Sequence, residues 1–140
     1  MKKIILLSFV LLFLSSCSSD SGSDSGSLAT ITTTSISETT SISATSGGNI
    51  TSDGGSAITL RGVCWNINHN PTITDSRTTD GTGLGTFTSN ITGLTSNTIY
   101  YIRAYATNSA GTAYGNEVTT TTDETMYFPP NDRSATWTTK

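Results

Sequence analysis

Leu94-Thr95-Ser96-Asn97-Thr98-Ile99-Tyr100-Tyr101-Ile102-Arg103-Ala104-Tyr105-Ala106-Thr107-Asn108-Ser109-Ala110-Gly111 is the stretch from which the fold can be read. Within it Tyr100, Ile102, Ala104 and Ala106 alternate with Tyr101, Arg103, Tyr105 and Thr107. A period of two puts each set on its own face of a strand, expected over Thr98–Asn108. Asn108-Ser109-Ala110-Gly111 is a turn signal, so the chain is expected to fold back as a hairpin over Thr112–Thr121, with Tyr114 and Val118 as its large residues.

Working outward, Thr, Ser, Gly and Asn dominate residues 28–123, and no stretch keeps a 3.6-residue period. Strands are expected over Ala29–Ser35, Thr40–Ala44, Ala57–Asn68 and Thr86–Ile91, with Phe87 inward. Gly47-Gly48-Asn49 and Ser52-Asp53-Gly54-Gly55 read as turn clusters, and residues 69–83 as a loop. In Ala57–Asn68 both faces carry large apolar residues: Ile58, Leu60 and Cys64 on one, Val63, Trp65 and Ile67 on the other. A bulge near Gly62 that switches the face would account for this. Six to seven short strands separated by turns predict a single all-β sandwich.

Two segments carry a family resemblance. Leu94, Tyr100, Arg103, Ala106, Asn108 and Gly111 are spaced as in the E–F corner, F strand and F–G turn of fibronectin type III domains. The resemblance implies an immunoglobulin/fibronectin type III-like β-sandwich. In it Leu94, Tyr100, Trp65 and Gly111 are fold residues, and the Tyr100 hydroxyl closes back on the preceding corner. Arg61-Gly62-Val63-Cys64-Trp65, Asn70-Pro71-Thr72-Ile73 and Thr79-Asp80-Gly81-Thr82-Gly83 resemble a repeat of exported Bacteroidota proteins. The sequence departs from the fibronectin pattern in one place: the core Trp of that family lies on the second strand, whereas Trp65 follows two earlier strand candidates.

The N-terminus carries an address. Lys2 and Lys3 precede an apolar run from Ile4 to Leu14, broken only by Ser8. That run is shorter than the roughly 20 residues a spanning helix needs, and fits a signal peptide over residues 1–16. Leu14-Ser15-Ser16-Cys17 resembles the lipobox of bacterial lipoproteins, which implies acylation of Cys17 and a membrane partner through its acyl chains. Residues 17–27 are Ser, Gly and Asp after the Cys and read as a tether. Their acidic, Ser-rich character resembles the surface-export signal of Bacteroidota lipoproteins. The expected location is therefore the cell envelope, anchored to the outer membrane and exposed at the surface.

After residue 16 the chain has five basic residues against ten acidic ones, a net charge of −5, and no basic cluster, which argues against nucleic-acid binding. Cys17 and Cys64 are the two cysteines, so an acylated Cys17 leaves Cys64 unpaired and the domain without a disulfide framework. Residues 124–140 form a tail. Within it Met126-Tyr127-Phe128-Pro129-Pro130 and Trp137 resemble the linker into a penicillin-binding-type serine hydrolase. Such enzymes use Ser-x-x-Lys, and no Ser here has a Lys three positions on. The resemblance therefore implies an N-terminal module severed from its catalytic part.

Catalytic and metal chemistry find little footing. Cys64 and His69 are five apart, but no orienting third residue is evident, and Cys is among the most buried residue types. Asp75 and Asp80 fall short of the six to eight oxygens a calcium site takes. Gly81-Thr82-Gly83-Leu84-Gly85 lacks the spacing and βαβ setting of a dinucleotide loop. No cofactor is expected. Tyr101, Tyr105 and Tyr114 share a face, and an exposed set of tyrosines would suit a glycan or a protein ligand. The expected role is a non-enzymatic spacer or adhesion module, with a carbohydrate-binding module or a severed hydrolase module as the alternatives.

Overall fold

The computed structural model describes residues 26–126. The signal peptide, Cys17, most of the tether and residues 127–140 lie outside them. Eight β-elements form two antiparallel sheets. One has three strands in the order β1-β2-β5, made of β1 (Thr30–Thr33), β2 (Ser43–Ser52) and β5 (Gly85–Thr92). The other is ordered β4-β3-β6-β7, from β3 (Leu60–Asn66), β4 (Ser76–Arg77), β6 (Ile99–Asn108) and β7 (Gly111–Tyr114). Here β8 (Val118–Thr121) pairs the first half of β6, as β7 pairs the second. Counted as one interrupted strand, β7 and β8 bring the total to seven. The chain is an all-β sandwich of two antiparallel sheets.

The core lies between the sheets. Ile50, Ile91 and Phe87 face Val63, Ile102, Ala104 and Ala106, all buried, and Trp65 packs against them from the end of β3. Burial on one face of β5 and β6 is what their alternation requires. The corner before β6 is closed by Tyr100, whose hydroxyl accepts the Thr95 N–H at 3.1 Å, over a buried Leu94. Gly111 ends the β6–β7 hairpin at φ +139°, where Asn108 Oδ1 accepts the N–H groups of Ala110 and Gly111.

Several expectations need correction. Gly47-Gly48-Asn49 is not a turn but the middle of β2, a strand of ten residues. Tertiary packing overrides turn preference here. A Cβ on Gly48 would lie 2.7 Å from the Ala104 Cβ and 2.9 Å from the Phe87 ring, so only glycine lets that ring enter the core. No bulge interrupts β3, whose register on β6 runs unbroken from Leu60–Thr107 to Asn66–Tyr101. Both faces are apolar because both are covered: Val63 faces the core, and Cys64 lies beneath residues 67–80, with Pro71 against it. The return strand Thr112–Thr121 is broken at residues 115–117. There Gly115 abuts Thr33, and Asn116 Oδ1 takes the Thr33 N–H across to the other sheet at 3.0 Å.

The chain enters at one end of the sandwich and leaves at the other. At the entry, Asn108 Nδ2 donates to the carbonyls of Ser27 (2.8 Å) and Asp53 (2.7 Å). At the exit, the buried Thr122 donates its hydroxyl to the Thr95 carbonyl (2.6 Å), and the Asp123 N–H donates to Thr40. The ten-residue strands β2 and β6 run between these ends, about 33 Å at the usual rise.

Replacing Gly48 by alanine should overpack the core and cost about 1–3 kcal/mol. Urea unfolding would read this as a lower midpoint with an unchanged slope, whereas wild-type stability would mean that the sheets part freely.

Candidate functional site

Two surfaces bring chemistry-bearing side chains together. The first is the outer face of the five-stranded sheet. Alternation along β6 places Tyr101, Arg103 and Tyr105 there, with Tyr114 opposite Tyr105 on β7. The three tyrosines do share a face, as their spacing implies, but they do not form an open platform. Tyr105 is 0% exposed, and its hydroxyl donates to the Thr78 carbonyl at 2.6 Å. Burial pushes its phenol above the ordinary tyrosine value. Tyr114 lies under the Arg103 guanidinium, 4.8 Å from the ring centroid, and its hydroxyl accepts the Ile73 N–H. Tyr101 is covered in part by the His69 ring, 3.8 Å between centroids.

The cover is the segment of residues 67–80. Glu117 ties it down: Oε1 meets His69 Nδ1 at 2.7 Å, and Oε2 accepts the Asn70 N–H at 2.5 Å. Partial burial alone would push this carboxyl up, but the Asn70 and His69 contacts, helped by Arg103, hold it below the ordinary glutamate value. Asp75 folds the same segment by accepting the Thr72 N–H and the Asn66 amide, and these bonds keep it below its ordinary value. Asp80 is committed elsewhere, accepting hydroxyls from Thr78 and Ser89 through Oδ2. The two loop acids thus serve different local networks. Among the described residues no three His, Cys, Asp or Glu side chains gather as metal ligands would.

Cys64 and His69 are not a dyad. The Cys64 thiol points at the carbonyls of Pro71 (3.4 Å) and Arg103 (3.5 Å), while His69 faces Glu117 and solvent. Burial pushes the thiol up to about 11, so it stays protonated at neutral pH.

The second surface is a groove of about 570 Å³ at the exit end, lined by Trp65, Asn66, Ile67, Asp75, Ser76 and Tyr100 among others. It joins an aromatic edge to the Ser76 hydroxyl and to the Asn66 amide and Asp75 carboxylate, which are bonded to each other at 2.6 Å. The family resemblance implies only a fold role for Trp65. Its neighbours Asp75 and Ser76 lie about ten positions downstream, beyond any local spacing signal.

No model of a known protein family matches the chain, and no curated protein matches it. Among solved structures, domains A168-A170 from titin are 24% identical over 64% of this chain. The match spans 30% of that longer chain. A fibronectin type III domain from the human KIAA0970 protein is 10% identical, covering 79% of this chain and 85% of its own. The third fibronectin III domain of the human KIAA0343 protein is 13% identical, covering 76% and 86%. The TM-score is 0.45 in each case.

Two outcomes follow. With Cys17 replaced (Cys17→Ser), a thiol reagent at pH 8 should label the folded chain at least about a hundredfold more slowly than the urea-unfolded one, because only the thiolate reacts. Equal rates would mean that the cover opens freely. Glu117 and Asp75 are both held below their ordinary values, so each adds stability at neutral pH that fades as pH falls through the carboxylate range. Urea midpoints measured on acidification should therefore drop, and Glu117→Gln should flatten that drop. An unaltered acid limb in this variant would place the acid sensitivity elsewhere.

Proposed function

We propose that this protein is an exported, lipid-anchored, non-catalytic module that acts as a spacer at the cell envelope. The observation that carries this reading is the placement of the two chain ends. The polypeptide enters beside Asn108 and leaves beside Thr122, at opposite ends of ten-residue strands, and hydrogen bonds fix each junction. A rod with pinned ends adds its own length, about 33 Å, to any tether. A floppy chain of the same residue count would instead coil back on itself. The lipobox-like Leu14-Ser15-Ser16-Cys17 supports the membrane end of this reading. Two or three acyl chains on Cys17 give the lasting hold that one does not.

The acids, the histidine and the thiol are each bound into the fold rather than poised around a common point. That arrangement favours a structural role over catalysis.

The test uses the full chain on intact cells, with an epitope placed after Lys140. Mass spectrometry of the membrane-extracted protein should find Cys17 acylated at the N-terminus. Deleting residues 28–123 should cut antibody access to the epitope, and an unrelated β-sandwich of equal length should restore it. If the substitute fails while the natural domain succeeds, the surface of the domain itself is needed. The spacer reading then gives way to a binding role, with the groove beside Trp65 as its seat.

A further inference from the structure

A sheet in a sandwich has two edges, and an open edge is a row of main-chain donors and acceptors without partners. Three edges of this molecule are obstructed. The β1 edge is stitched to the other sheet, since the Thr33 N–H is taken by Asn116 and the Thr33 hydroxyl by the Ala104 N–H. The edge shared by β7 and β8 is interrupted at residues 115–117, where Gly115 abuts Thr33, and along β8 it is overlain by residues 39–40, with Thr39 and Thr120 hydroxyls 3.0 Å apart and the Asp123 N–H bonded to Thr40. The β4 edge is two residues long and ends in Arg77.

The fourth edge belongs to β5, Gly85-Thr86-Phe87-Thr88-Ser89-Asn90-Ile91-Thr92. It has eight residues, with no charge, no proline and an unbroken register on β2. Among the described residues no strand pairs with its far side. Which backbone groups it presents follows from β2. Thr45 exchanges hydrogen bonds with Ser37, and the Gly47 carbonyl accepts the Thr34 N–H, so both residues direct their main-chain groups away from β5. In an antiparallel ladder successive residues bond to opposite neighbours. Thr88 and Asn90, which face Gly47 and Thr45, therefore turn their N–H and C=O groups to the open edge.

We infer that this edge pairs antiparallel with the same edge of a second copy of the chain. A foreign strand would gain main-chain bonds but little selectivity, because specificity in strand addition comes from side-chain pockets. Here the inward side chains Phe87, Ser89 and Ile91 are already buried in the core. A second copy fits what remains. With Thr88 opposite Thr88, Thr86 lies opposite Asn90 on the exposed face, giving hydroxyl and amide pairs with no like charges facing. The contact is isologous and closes at two. An eight-residue ladder buries little area, so the pair is weak and forms only where copies are concentrated. Where the anchored reading also holds, an antiparallel pair sets the two entry ends at opposite poles and so joins copies from facing membranes.

Single cysteines in the full chain carrying Cys17→Ser, held at high protein concentration in solution, test this under mild oxidation. Residues directly opposite in a hydrogen-bonded pair sit about 5.5 Å apart at Cα, within disulfide reach. Thr88→Cys should link to itself. Thr86→Cys and Asn90→Cys should each stay unlinked alone and link when mixed. All three positions are exposed, so folding survives the changes. Thr119→Cys, exposed on β8, sets the background of random collision. Links no faster than that background overturn the proposal, as does Thr86→Cys linking to itself. Neither result touches the spacer reading, which depends on Cys17 and on domain length.

Discussion

Phe87 of β5 reaches into the centre of the sandwich over Gly48 of β2 and against Ala104 of β6, and the spacing of the two sheets follows from that contact. The missing side chain at Gly48 leaves the room, and the small one at Ala104 keeps it. Arg61 then closes the edge of the same layer, its guanidinium 5.1 Å from the Phe87 ring centroid and bonded to the carbonyls of Gly83 and Leu84. Ile50, Ile91, Val63 and Ile102 fill the space on either side. Interiors pack as densely as organic crystals, so a change at this one crossing is passed to both sheets.

A domain of about a hundred residues with one unpaired buried thiol has no covalent reinforcement. Polar stitches do the corresponding work. Thr33 spends its hydroxyl on the Ala104 N–H and its own N–H on Asn116, joining the sheets at one side. Asn108 and Thr122 do the same at the two ends. Among the described residues every buried side-chain nitrogen or oxygen has a partner. The Thr- and Ser-rich composition thus reflects more than strand preference, since hydroxyls fill positions where a buried main-chain group would otherwise go unmet.

The parts legible in the sequence were those in which one residue's neighbours along the chain decide its place. The alternation in β6, the Asn108–Gly111 turn and the Tyr100 corner are local patterns, and they stand in the structure where the spacing put them. Gly47-Gly48 reads as a turn because glycine pairs favour turns locally, while their use here is set by Phe87 and Ala104, roughly forty and fifty-six positions away. Tyr105 alternates like a surface residue and is buried because residues 67–80 fold back over it, a cover held by Glu117 from yet another strand connection. The groove beside Trp65 is not legible in the sequence for the same reason: much of its polar wall comes from that returning segment.

The opposite placement of the chain ends also has a mechanical meaning. Tension applied between the entry beside Asn108 and the exit beside Thr122 pulls β1 along β2 in one direction and β8 along β6 in the other. Ladder hydrogen bonds lie across the strands, so such a load falls on all of them at once, as shear, rather than opening them one after another. A load between these two junctions would therefore be resisted by whole ladders rather than by single bonds in turn.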